Sequence, residues 1–366
     1  MAPAAESLRQ SLAAASPDRL AALDAAVTAE ALRRHDAFLA GIDAYRRHPY
    51  RRELPDPPVL WSEGTTRLLD YRTRTGGVPV LVVPSLVNRA YILDLTARRS
   101  LLRYLAARGL APFLVDWGAP GQLERDFTLS DYIDGRLVGA ARAVAAECGR
   151  PPTVLGYCMG GLLALALAQR QPKLAVSLAL LATPWDFHAG RESHALMMRA
   201  LTEPLGRLIE GMGEVPVDLL NAMFASLDPG LAARKFTAFS HLERRSARAR
   251  DFVALEDWAN DGVALAGPVA RECLFGWYGD NDPAEGRWRI GGEAIRPEAV
   301  SQPALVLVPQ RDRIVPPESA RALGARLPNA KVIMLKGGHV GMLTATRAKT
   351  EVYGPLAKWL VRSAVQ

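Results

Sequence analysis

The chain carries three cysteines, and one of them stands in a pattern that can do chemistry. Gly156-Tyr157-Cys158-Met159-Gly160-Gly161 reads as glycine, any residue, nucleophile, any residue, glycine, with a thiol as the nucleophile. The basis of this pattern is mechanical. A strand that turns abruptly into a helix leaves the central residue strained, with its side chain projecting off the sheet. A Cβ at Gly156 or Gly160 would clash in so tight a turn. The apolar Thr153-Val154-Leu155 precedes the motif and a helix-forming run, Leu162–Arg170, follows it. A helix starting there would bring backbone N–H groups and the positive end of its dipole to the sulfur, favouring thiolate and oxyanion alike. The plainer alternative is a buried structural cysteine in a glycine-rich turn. Cys148 and Cys273 lack such surroundings and read as structural.

A thiol nucleophile needs a base, and the base needs an acid to orient it. With a strand–turn–helix nucleophile the chain order is nucleophile, acid, histidine. Asp312 lies just past the apolar run Ala304–Val308, in Arg311-Asp312-Arg313-Ile314-Val315-Pro316. His339 follows Lys331–Leu335, in Gly337-Gly338-His339-Val340-Gly341. Singly, Asp312 reads equally well as a turn cap and His339 as a hydrogen-bonded loop residue. Their order and their placement after strands together favour a triad of Cys158, His339 and Asp312. His339 would take the thiol proton and return it to a leaving group, while Asp312 fixes its tautomer. Two N–H donors must meet the oxyanion: one from Met159, the other from the loop Ser85-Leu86-Val87-Asn88. His35, His48, His188, His194 and His241 lack this context; His188 ranks next because it opens an insertion.

The elements that must hold these groups follow from hydrophobic patterning. Val78–Val83, Pro112–Val115, Thr153–Leu155, Leu174–Leu181, Ala304–Val308 and Val332–Leu335 are short apolar runs, and Thr66–Arg72 is a further strand candidate. Runs apolar on both faces point to a buried parallel sheet. Helical spacing between them, as in Ala97–Arg108 and Leu137–Ala146, predicts an open, doubly wound α/β sheet, and with the nucleophile motif an α/β-hydrolase fold. Residues 59–184 and 296–366 form the expected core. Residues 185–295 break the alternation and read as a helical cap over the carboxyl edge of the sheet, where open α/β folds bind ligands. Residues 1–58 read as an N-terminal helical segment whose arginines, Arg33, Arg34, Arg46, Arg47, Arg51 and Arg52, form a solvated face or a docking surface.

Composition narrows the classes. At 366 residues, 49% hydrophobic and 23% charged, the chain can bury a full core without disulfides. Its widely spaced cysteines form neither a disulfide framework nor a zinc pattern, which points to a reducing compartment. The net charge of +7 is scattered, without a basic block or interleaved aromatics, so nucleic acid is disfavoured and an anionic small molecule fits. The opening MAPAAESLRQ has no basic start followed by an apolar stretch, and the apolar run Thr153–Ala168 is too short and too rich in glycine for a membrane span. A cytoplasmic location is expected, with no metal and no redox cofactor.

Several segments together resemble the polyhydroxyalkanoate synthases, above all the class III catalytic subunit. They are Pro84-Ser85-Leu86-Val87-Asn88-Arg89-Ala90-Tyr91-Ile92-Leu93-Asp94-Leu95, Val115-Asp116-Trp117-Gly118, Leu129-Ser130-Asp131-Tyr132-Ile133, the cysteine motif itself, Thr183-Pro184-Trp185-Asp186-Phe187, the Asp312 and His339 segments, and Lys358-Trp359-Leu360. Leu219-Leu220-Asn221 and Asp257-Trp258 also look like family positions. The resemblance runs from about residue 60 to the end. Arg313 stands where the family usually has histidine, and Met159 where glutamine or valine is common.

The resemblance implies polymerisation of 3-hydroxyacyl-CoA into polyester, with the chain held as a thioester on Cys158 and CoA released as part of the substrate. It implies acid and base roles for Asp312 and His339, and oxyanion donors at the backbones of Val87 and Met159. A homodimer, a non-catalytic partner subunit and a place at the surface of polyester granules are further implications. Two alternatives stay open: a depolymerase or acyl thioesterase using the same triad with water as acceptor, and a catalytically silent granule-associated relative.

Overall fold

In the computed structural model, which describes residues 3–364, the apolar runs become the interior of one eight-stranded sheet. Its strands are β1 Val59–Glu63, β2 Thr66–Asp70, β3 Val78–Val83, β4 Leu110–Asp116, β5 Thr153–Tyr157, β6 Leu178–Leu181, β7 Ala304–Pro309 and β8 Ala330–Leu335. They lie in the order β1-β2-β4-β3-β5-β6-β7-β8. β1 and β2 run antiparallel to their neighbours, and every other pairing is parallel. β5, β6 and β7 are buried along their whole length, as strands covered on both faces must be. β8 pairs only with β7, and Val332 and Met334 on it are each 40% exposed. β1, whose apolar run is only Val59-Leu60-Trp61, forms a hairpin with β2 through Gly64 at φ 57°.

The chain leaves β3 to build β4 on one side and then returns to place β5 on the other. The loops after β3 and β5 therefore open a crevice between them at the carboxyl ends of the strands. This reversal is the usual ligand position in such sheets. Helices Leu101–Ala106, Val138–Cys148 and Met159–Arg170 carry the crossovers between β3 and β6. The expected helix over 97–108 is shorter than its pattern because Asp94–Thr96 and Arg99–Ser100 first form a small antiparallel pair.

The chain divides into two compact units, residues 1–51 with 228–253, and residues 52–227 with 254–366. The segment 185–295 is therefore not a unit by itself, and the N-terminal segment ends before residue 58. In the first unit, the helix Pro17–Arg46 is too rich in alanine to make a core alone. It packs on Leu231–Ser240 so closely that a Cβ on Gly41 would stand 2.0 Å from the carbonyl oxygen of Phe236. Phe38 and Tyr45 meet the Phe236 ring there. The arginines read as one cluster separate. Arg33 and Arg34 pair with Glu30 at 2.7 Å, and Arg47 pairs with Asp43 at 2.9 Å, all on exposed helix surface. Arg52 belongs to the second unit, where it reaches the buried Asp94. No helix among the described residues is long and apolar enough to cross a membrane.

Candidate active site

Cys158 sits at the corner between β5 and the helix Met159–Arg170, with φ 55° and ψ −129°. A side chain in that region costs about 1–3 kcal/mol and persists only where its surroundings hold it. Here they do. The Cys158 N–H donates to the Leu181 carbonyl at 2.8 Å, and its own carbonyl accepts from Gly161 at 2.9 Å. A Cβ on Gly156 would lie 2.4 Å from Gly161 Cα, and one on Gly160 would lie 2.1 Å from the Val83 oxygen. Gly161 is equally constrained, since a Cβ there would stand 1.9 Å from Thr183 Oγ1. The second glycine of the motif's Gly160-Gly161 pair is the signal for this requirement.

His339 and Asp312 come from the loops after β8 and β7. The Arg311 N–H donates to the Gly337 carbonyl at 2.8 Å, which ties the two loops together. His339 Nδ1 lies 2.7 Å from Asp312 Oδ2. Asp312 Oδ1 accepts the N–H groups of Ile314 and Val315 at 2.8 and 2.9 Å. A carboxylate so placed only accepts, so Nδ1 carries the proton and Nε2 faces the nucleophile. The imidazole lies close enough to the Cys158 sulfur for the two to interact electrostatically. Tyr157 lies against the ring at 5.1 Å, and its hydroxyl donates to the His339 carbonyl.

Two opposing effects act on the imidazole. Burial alone disfavours its charged form. The negative sulfur of Cys158, hydrogen bonds with Asp312 and Cys158, and the Asp312 charge outweigh burial and push its pKa up to about 10. The site therefore favours the charged imidazolium form of His339. Burial pushes the thiols of Cys148 and Cys273 upward instead, which keeps both protonated and inert.

The two backbone N–H groups expected to meet an oxyanion differ. Met159 opens its helix, so its N–H has no acceptor within that helix. The Val87 N–H, in contrast, donates to Ser85 Oγ at 3.1 Å, and that hydroxyl lies 3.8 Å from Met159 Sδ. In the resting structure the Ser85 side chain occupies the direction in which a carbonyl oxygen would be received. A serine bonding the N–H two residues on is a common local motif, so this contact was readable from Pro84-Ser85-Leu86-Val87.

Tyr278 lies within electrostatic range of Cys158, and no spacing pointed to it. Burial, then the negative charges of Cys158 and Cys273, keep its phenol protonated. Phe187 packs edge-on against it at 4.9 Å. His188 lies outside this group, with Nε2 3.1 Å from the Gly279 carbonyl. Among the described residues no cluster of histidine, cysteine and carboxylate side chains could hold a metal ion.

The model of the alpha/beta hydrolase fold family matches residues 78–346. The Poly(3-hydroxyalkanoate) polymerase subunit PhaC of Synechocystis is 31% identical over 294 residues, covering 77% of this chain and 77% of the relative. That of Allochromatium vinosum is 30% identical over 287 residues, covering 77% of this chain and 80% of the relative. The chain belongs to the poly(3-hydroxyalkanoate) polymerases of the α/β-hydrolase superfamily. This is a family of enzymes. The chain spans only 63% of its Haloferax mediterranei relative, with 28% identity over 312 residues. Among solved structures, a Paleococcus ferrophilus monoacylglycerol lipase (TM-score 0.53, 19% identity, 81% of this chain and 99% of that one) shares this chain's fold. So does a Thermogutta terrifontis esterase (TM-score 0.51, 18% identity, 86% of this chain and all of that one).

Proposed function

We propose that this chain polymerises 3-hydroxyacyl-CoA into polyhydroxyalkanoate through a thioester on Cys158, releasing CoA. The observation that carries the reading is the His339–Asp312 hydrogen bond, with the imidazole in electrostatic range of a Cys158 sulfur held at a helix start.

The steps follow from that geometry. The thiolate attacks the acyl-CoA carbonyl, and the oxyanion is met by the Met159 N–H and, once Ser85 turns aside, by the Val87 N–H. The carbon–sulfur bond to CoA breaks, and the CoA sulfur takes a proton from imidazolium. One thioester has replaced another, so the step is close to thermoneutral. A serine in this place would form the more stable oxoester and leave less driving force for onward transfer. His339 then removes the proton from the 3-hydroxyl of a second acyl group. The new alkoxide attacks the Cys158 thioester, an ester bond forms and the thiolate returns. Each monomer added releases one CoA thiol.

The test is incubation of the purified chain with 3-hydroxybutyryl-CoA, with CoA and products measured together. Polymer formed in step with CoA supports the reading. Free 3-hydroxy acid as the sole product overturns it in favour of hydrolysis. A Cys158→Ala variant that retains full activity overturns the assignment of the nucleophile.

A further inference from the structure

The loop that carries Val87 is held at both ends by an indole. At its start, Trp117 Nε1 donates to the Pro84 carbonyl at 3.1 Å. Beyond Val87, Trp258 Nε1 donates to the Arg89 carbonyl at 2.8 Å. Both tryptophans are buried. Trp117 follows β4 in the sheet, whereas Trp258 lies near the end of the helix Ala247–Asn260 in the insertion.

Residues next to Trp258 reinforce the second anchor. Gly262 forms an antiparallel bridge with Asn88, and Asp261 pairs with Arg89 at 3.4 Å and hydrogen-bonds with Tyr91. Gly262 also meets Val217, whose Cγ1 a Cβ there would approach to 2.4 Å. The peptide plane of Val87 is thus bracketed. Its N–H cannot turn toward a substrate by loop movement without breaking one of these contacts. The hydroxyl of Ser85, by comparison, leaves by one side-chain rotation.

We propose that Trp258 is a positioning residue for the oxyanion site: its hydrogen bond to Arg89 fixes the direction of the Val87 N–H, and Ser85 rotation alone frees that donor for substrate. The inference rests on the acyl-enzyme reading above. It makes a segment remote in sequence part of the apparatus for acyl transfer, without contact to the reacting atoms. Removing the indole N–H leaves the thiolate–imidazolium pair untouched and disturbs only where the Val87 N–H points.

The experiment compares two reactions of Cys158 in the full chain. Acylation by 3-hydroxybutyryl-CoA forms an oxyanion; alkylation by iodoacetamide does not. Trp258→Phe keeps the ring and removes the N–H. Its acylation rate should fall about tenfold or more, as small misplacements of catalytic donors do, with half-saturation and alkylation rate unchanged. Asp261→Ala loosens the same side of the loop from the surface and should slow acylation by about threefold, again without touching alkylation. It serves if Trp258→Phe does not fold. Acylation within twofold of the unsubstituted chain in both folded variants overturns the proposal. So does a parallel fall in acylation and alkylation, which would place the damage in the thiolate or the fold. If the unsubstituted chain itself forms no acyl-enzyme, the reading beneath the proposal fails, and the proposal with it.

Discussion

The carboxylate of Asp312 serves His339 with one oxygen and the backbone with the other: Oδ2 lies 2.7 Å from Nδ1, while Oδ1 accepts from Ile314 and Val315. The side chain therefore has no freedom to rotate as the imidazole gains and loses a proton. Asp312→Asn keeps an oxygen for the backbone bonds but sets an amide N–H or a weaker acceptor against Nδ1. CoA release should fall by about a hundredfold or more while thermal unfolding shifts little. A variant that retains at least a third of the rate would contradict the role.

The imidazole gives a pH signature whose direction is fixed. Its native pKa, about 10, lies above its ordinary value of 6.5. The stability contributed by the charged ring is therefore fully present below about pH 6.5 and is lost as pH rises through about 10. Urea unfolding followed from pH 6 to pH 10.5 should show this decline. In Cys158→Ala the largest stabilising charge is gone, and the His339 ring, followed by NMR, should titrate at lower pH. An unmoved titration would separate the two residues.

Thiol reactivity should divide sharply along the chain. Limiting iodoacetamide near neutral pH should label Cys158 first, Cys148 more slowly and Cys273 last, since burial raises the latter two thiols and Cys273 is also buried from solvent. Peptide mass spectrometry reads the order. Preferential labelling of Cys273 would contradict it.

The glycines of the corner should tolerate nothing. Gly160→Ala drives a methyl to 2.1 Å from a backbone oxygen, so it should cost more than about 3 kcal/mol or prevent folding. Gly149→Ala offers the contrast, because that glycine has a φ of 66° but open space where its Cβ would stand. It should cost about 1 kcal/mol, from backbone strain alone. Chemical denaturation measures both.

What could be read from the sequence had local causes. Strands β3, β5, β6 and β7 announced themselves because burial on both faces leaves continuous apolar runs. Cys158, Asp312 and His339 stood out as a set because each follows such a run in a fixed order. β1 did not, because Val59-Leu60-Trp61 is a short run on an outer strand half open to water. The Ser85–Val87 bond spans two residues and was within reach of reading. The Trp258–Arg89 bond joins positions 169 residues apart, and Tyr278 comes into electrostatic range of Cys158 from the insertion. Contacts between distant segments leave no periodicity. The pairing of the N-terminal helix with Leu231–Ser240, which splits the insertion between two units, was hidden for the same reason.

The outermost strand, Ala330–Leu335, ends the sheet with an open row of N–H and C=O groups and two half-exposed apolar side chains, Val332 and Met334. Such a border invites a second copy to add its own strand and start a runaway stack. Lys331 within it and Lys336 just beyond it are exposed, so two copies approaching border to border bring four ammonium groups together. Colloidal behaviour thus depends on two exposed lysines far from any chemistry, and neutralising them by acetylation should turn a well-behaved preparation into one that precipitates on concentration.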